Sequence, residues 1–297
     1  MFAACLIILE QIFLYVPLML GAYLSFSLMK VPNLSIEVSF VSGAIMASKV
    51  LALTQNMGIV VSLLCACIAS LIGGAFVGIV MGLLVTHAKL PHLLASILTI
   101  GLFYGVNLFM LGGANISLTP FENPLSVFAL PAHPELITLG LISLVIFILC
   151  FLLCKTQLGV SFAIYGNNPS FFDFYNISRT YIMSLGLLIT SMLSGLSGYL
   201  VAQSSSFVDI NAGTGISLFC LTALILGKSL IPTKKNIAIF VPIGGLVIYC
   251  VIQQVLLKVG FNLKYFTMLQ SIIVLVLLMI KYRRRTVQEL TSDHLGV

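Results

Sequence analysis

Polar chemistry is scarce in this chain, so the few side chains that carry it mark the places to look. Charged types make up 7% of the 297 residues and hydrophobic types 60%. Glu37 and Asp209 stand beside long apolar runs. A carboxylate in lipid is costly, so each is expected to face a cavity or a partner. Ser39, Asn107 and Asn211, with Ser35 and Thr214, could complete such a polar lining. These residues could recognise a polar solute, or the two carboxylates could carry protons or pair with cations. In the plainer alternative, Glu37 and Asp209 tie helices together or sit at the headgroup level. Glu10, near the start of the first apolar run, is read as structural.

A second polar concentration is the island at residues 154–177, CKTQLGVSFAIYGNNPSFFDFYNI, which separates two long apolar runs. Its second half can form a short helix, with Asn168 as cap and Pro169 at the first position. Phe171, Phe172, Phe174 and Tyr175 are then expected to protrude, with Asp173 among them. Such a helix could lie on the membrane or act as a knob for a soluble partner, since aromatic anchors suit protein interfaces.

Catalytic constellations are missing. The sequence has no phosphate-binding glycine loop followed by lysine and serine or threonine. It has no His-Glu-x-x-His, no G-x-S-x-G and no paired catalytic carboxylates. ATP hydrolysis by the usual P-loop is therefore not expected of this chain. The seven cysteines lie mostly inside apolar runs and read as small packing residues. His87 and His92 do not share a helix face, so no metal site is expected.

The elements that must position these residues are membrane helices. A soluble protein carries about 25% charged residues, far more than this chain. Apolar runs of spanning length recur throughout, without the alternation of barrel strands. The fold class is an all-α polytopic membrane protein with about 8–10 transmembrane helices. Nine segments are expected, near residues 4–29, 34–53, 58–86, 93–111, 136–153, 180–202, 216–226, 237–257 and 266–280. The seventh is short, so a broken or re-entrant piece is expected near 204–216. Gly74, Gly78 and Gly82 fall on one face of the third segment and would let another helix approach closely. Residues 1–280 are expected to form one membrane domain, and 281–297 a basic tail.

Sidedness follows from the basic residues, which collect in short cytoplasmic loops. With the cluster at 281–285 inside and nine crossings, eleven of the 14 Lys and Arg residues fall inside. Only Lys49, Lys258 and Lys264 do not. This puts the N terminus outside and the 155–178 loop in the cytoplasm. The basic residues form no continuous face, so no nucleic acid partner is expected.

Taken together, VPNLSIEVSFVSGA (31–44), LPHLLASILTIGLFYGVNLFMLGGANISL (90–118), GVSFAIYGNNPSFFDFYNIS (159–178) and LSGLSGYLVAQSSSFVDINAGTGI (193–216) resemble a known family. The chain is similar to bacterial ABC importer permeases of the branched-chain amino-acid and sugar permease superfamily. Within it, the subgroup has aromatic amino acids among its suggested substrates. The resemblance implies a permease of the bacterial inner membrane working as a dimer, with an identical second subunit as the first expectation. It implies two cytoplasmic ATPase subunits that bind ATP and Mg, and an extracytoplasmic solute-binding protein. No cofactor is expected in this chain. It also implies that Gly166, Asn167, Asn168, Pro169, Phe171, Phe172, Asp173 and Tyr175 belong to the helix that couples to the ATPase. The family's more alanine-rich stretch with a basic residue is replaced here by Phe162, Ile164 and Tyr165. The alternatives that remain are a secondary transporter driven by an ion gradient, a membrane enzyme, and a non-transporting scaffold.

Overall fold

Almost every long apolar run winds into a helix, and proline or glycine sits at most of the breaks. The computed structural model describes residues 2–119, 123–125, 135–230, 238–260, 265, 267–276 and 279. Helix α1 (Phe2–Ala22) passes into a π-helical turn, Tyr23–Met29. Lys30 ends that turn with a left-handed backbone (φ 54°). The sidestep is held by Val31 N–H donating to Ser25 O at 3.0 Å and Ser25 Oγ donating to Val31 O at 2.8 Å. Then follow α2 (Ile36–Thr54), α3 (Ile59–Thr86), α4 (His92–Leu111), α5 (Leu136–Lys155), α6 (Gln157–Asn167) and the single turn α7 (Phe171–Phe174). Helices α8 (Arg179–Ser205), α9 (Ile216–Leu230) and α10 (Val241–Lys258) complete the named set.

Among the described residues seven helices are long and apolar enough to cross a membrane. The apolar helices at Ile216–Ser229 and Thr267–Val276 are shorter. These nine positions coincide with the nine segments expected from the sequence. The basic tail at 281–297 and the lysines at 234 and 235 lie outside the described residues.

The centre of the bundle is α2, α3 and α8. Here small residues allow backbones to touch. A Cβ on Gly74 would stand 2.2 Å from Ser191 O, and one on Gly198 would stand 1.9 Å from Phe40 O. Gly78 faces Leu188 and Gly82 faces Ser184, so the glycine face expected on the third segment is the face that meets α8. Close backbone packing of this kind substitutes for a hydrophobic driving force between helices in lipid. On their outer sides α3, α4 and α5 expose Leu64, Ile68, Phe76, Leu98, Leu102, Leu144 and Ile148, as a lipid-facing surface would.

Hydroxyls set the heights of the helices. Thr190 Oγ1 donates to Gly21 O at 3.2 Å, Ser194 Oγ to Ile36 O at 2.8 Å, and Ser197 Oγ to Leu14 O at 2.7 Å. Ile36 opens α2, yet it is level with the middle of α8. Helix α2 therefore begins halfway through the bundle, and residues 30–35 reach it as irregular backbone. The sequence gives no hint of one further element. Residues Asn115–Ser117 (β1) pair antiparallel with Phe207–Asp209 (β2), with Asn115 opposite Asp209. This ribbon caps the end of the bundle where α4 stops and leads into a second irregular stretch, 210–215.

Candidate functional site

Two helices start inside the bundle, and they start against each other. The chain before α2 is turned by Asn33, whose Oδ1 accepts from Ser35 N–H at 3.0 Å and from Ser35 Oγ at 2.6 Å. Glu37 lies in the first turn of α2. Its Oε1 accepts from the backbone N–H of Ser217, at the start of α9, at 3.3 Å. Ser217 Oγ reaches back to Leu34 O at 3.5 Å. Gly213 lies flat on the α2 backbone, where a Cβ would stand 2.2 Å from Glu37 O. A carboxylate at a helix start faces the positive end of the helix dipole, an arrangement worth about 0.3–2 kcal/mol. Irregular backbone at this depth is tolerated where it lines a cavity.

Such a cavity is present. Its volume is ≈ 60 Å³, and its walls include Glu37, Tyr104, Asn107, Asn211 and Thr214. Asn107 is fully buried, and neither end of its amide has a protein partner among the described residues. An unpaired buried amide costs about 1–3 kcal/mol, so its presence here calls for a ligand or water. The volume holds a few waters and is far below the ~300 Å³ at the small end of ligand pockets.

The structure brings together three of the five residues expected to line a path. Glu37, Asn107 and Asn211 share the cavity. Ser39 does not face it: its hydroxyl is buried and donates to Ser35 O at 2.8 Å, inside its own helix. Asp209 is turned away as well. It sits on β2, where its Oδ1 accepts from Asn211 N–H at 2.9 Å, which shapes the loop rather than the lining. A neighbouring cavity of ≈ 210 Å³ escaped the sequence reading. It is lined by Tyr15, Phe219, Tyr249, Gln253 and Gln270 and shares Thr214 with the first. Its rings form a chain, Tyr15 to Phe219 at 5.0 Å and Phe219 to Tyr249 at 4.6 Å. Residues so far apart in sequence, each inside an apolar run, give no local signal.

The polar island folds into α6 and α7 at the end of the bundle that carries Lys30, Lys89 and Lys155. Gly166 lets α6 press on the π turn, since a Cβ there would stand 2.0 Å from Leu28 O. Lys30 Nζ donates to Asn167 Oδ1 at 2.7 Å, and Asn167 Nδ2 donates to Ala163 O at 2.8 Å. The expected cap is corrected: Ser170, not Asn168, precedes α7, and no side chain caps it. Backbone bonds wind the turn instead, Phe171 N–H to Asn168 O at 3.2 Å and Phe172 N–H to Pro169 O at 3.3 Å. The expectation that all four aromatics protrude is also corrected. Phe172 is 2% exposed and packs into the core, with Phe171 edge-on at 5.8 Å. Phe174 and Tyr175 are 86% and 65% exposed. Arg179 Nε pairs with Asp173 Oδ1 at 2.7 Å and ties the turn to the start of α8. One buried ring thus anchors a small knob that presents two others.

Comparison with known proteins covers most of the chain. The profile of the family described as "Branched-chain amino acid transport system / permease component" matches residues 4–279. The uncharacterized protein RP368 of Rickettsia prowazekii is 31% identical over 260 residues, covering 86% of this chain and 89% of that one. A tyrosine transport system permease protein of Clostridioides difficile is 31% identical over 211 residues, 71% of this chain and 68% of that protein. The autoinducer 2 import system permease protein LsrC of Escherichia coli is 28% identical over 196 residues, 66% of this chain and 56% of that protein. No solved structure matches the chain.

Proposed function

Because this chain belongs to the branched-chain amino acid transport permease family, and so is a non-catalytic, multi-pass membrane permease of an ABC transport system, we propose that it imports a small polar solute, such as an amino acid, past the junction of α2 and α9. Two copies form the membrane unit. Two cytoplasmic ATPase subunits, which bind ATP and Mg, dock on the α6–α7 knob, and an extracytoplasmic binding protein delivers the solute. The carrying observation is the Glu37 carboxylate at the start of α9, facing a cavity with the unpaired Asn107 amide. One carboxylate and no basic side chain in that lining favour a solute with an ammonium or another donor group.

The knob and the junction are joined by a short route. Helix α6 rests on the π turn through Gly166 and Lys30, and only residues 31–36 separate Lys30 from Glu37. Closure of the ATPase pair moves the knob, the knob moves the π turn, and the start of α2 shifts against α9. ATP drives this only if it favours one conformation over the other.

Reconstitution with the ATPase and the binding protein tests the reading. Phe174→Asp together with Tyr175→Asp is expected to abolish solute-stimulated ATP hydrolysis and uptake while the permease stays inserted. Unchanged hydrolysis and uptake in that double variant, or full uptake with no ATPase present, defeats the reading.

A further inference from the structure

At the end of the bundle away from the knob, two carboxylates are held by neighbouring residues of one helix. Glu10 Oε1, on α1, accepts from Ser204 Oγ at 3.1 Å. Glu135 Oε1, just before α5, accepts from Asn123 Nδ2. Asn123 Oδ1 in turn accepts from Gln203 Nε2 at 3.1 Å and from Leu125 N–H at 3.1 Å. Gln203 and Ser204 are consecutive on α8, so both carboxylates are tied to a single turn. Among the described residues neither has a cationic partner.

Unpartnered polar atoms stand beside the same cluster. Gln203 is 2% exposed, and while its nitrogen is used on Asn123, its Oε1 has no partner. An amide oxygen only accepts, so what it lacks is a donor or a positive charge. Tyr199, one turn earlier on the same face of α8, is buried with an unpaired hydroxyl and lies within electrostatic reach of Cys67 and of Glu135. Burial raises the Glu135 carboxyl above its ordinary range, the Asn123 hydrogen bond pulls part of this back, and the charge of Glu10 raises it again. A positive charge would relieve all of these at once. Carboxylate and amide oxygens as acceptors suit a hard cation.

We propose that Glu10, Glu135, Gln203 and Tyr199 form a site for one hard cation that clamps the start of α1, the end of α8 and the entry to α5. The site is independent of solute transport and stabilises the folded bundle when filled.

The test uses the full chain purified in detergent. The unfolding midpoint is followed against CaCl2 and against NaCl, with choline chloride matching the ionic strength. A saturable rise of roughly 5 °C at a hundredfold excess over the dissociation constant is expected with one of the two salts, and which salt acts gives the cation's charge. Glu135→Gln, which keeps a hydrogen-bonding end for Asn123, is expected to abolish the rise. Terbium provides a second readout that does not depend on that variant folding. The chain has no tryptophan, so terbium emission must be sensitised by tyrosine, and Tyr199→Phe is expected to remove most of it. Equal midpoints in all three salts overturn the proposal, as does a rise that persists in Glu135→Gln. A midpoint that answers to pH alone also overturns it, in favour of a proton shared by the cluster.

Discussion

The seam where α8 meets α2 and α3 lies within a few residues of the α2–α9 junction, yet the two are built on opposite plans. Along the seam, glycines bring backbones together with no space left, as at Gly74 against Ser191 and Gly198 against Phe40. At the junction two helices begin inside the bundle, two cavities open, and an amide is left unpaired. Close-packed interiors resist deformation, whereas regions with few apolar contacts open at low cost. The contrast assigns the seam to a rigid frame and the junction to the part that rearranges.

The sharpest way to break this division is to fill the seam. Gly198→Val places side-chain atoms where Phe40 O already stands, and the permease is expected to lose its folded form. Overpacking costs about 1–3 kcal/mol even where neighbours can shift, and backbone cannot. Yield and monodispersity after extraction check this, and a stable variant with normal uptake would show that the seam yields. Next in size is Phe172→Ala, which removes the ring that seats the knob. A loss of about 3–5 kcal/mol is expected, readable as a lower unfolding midpoint. By contrast, Phe174→Ala should leave the midpoint unchanged, because that ring touches little of this chain.

Smaller effects sharpen the junction itself. Glu37→Gln keeps a group to accept from Ser217 but removes the charge, so about 0.3–2 kcal/mol of stability is lost. Uptake is expected to fall much more than stability does. If the two fall together, Glu37 is a strut rather than part of the path. The smallest effect expected is from Asp173→Asn. Its pair with Arg179 is about half exposed, and such pairs contribute about 0–1 kcal/mol.

Much of the frame was legible in the sequence, and the reason is local. Breaks such as Val31-Pro32-Asn33 and the glycine at 58 place helix ends within two residues of Ile36 and Ile59. The spacing of Gly74, Gly78 and Gly82 names a packing face without naming its partner. The cost of polar groups in lipid singled out Glu37, Asn107 and Asn211, and these three line one cavity. The same cost argument singled out Asp209, which accepts from backbone two residues on, and Ser39, named beside it, donates to backbone one turn back. It could not tell which of four adjacent aromatics turns inward, because Phe172 is set by its contacts with distant parts of the core. The ribbon of β1 and β2 and the ring-lined cavity were hidden for the same reason. Their partners are far apart in sequence, and each lies in a stretch that looks ordinary alone.

The account stands on the α6–α7 knob facing the compartment where ATP is hydrolysed. The most direct measurement places a cysteine at Phe174 in a background with the seven native cysteines replaced, and treats sealed vesicles with a membrane-impermeant maleimide. Labelling is predicted in inside-out vesicles, with protection when the ATPase subunits are bound. Labelling only from the outer face, in right-side-out vesicles, would contradict it.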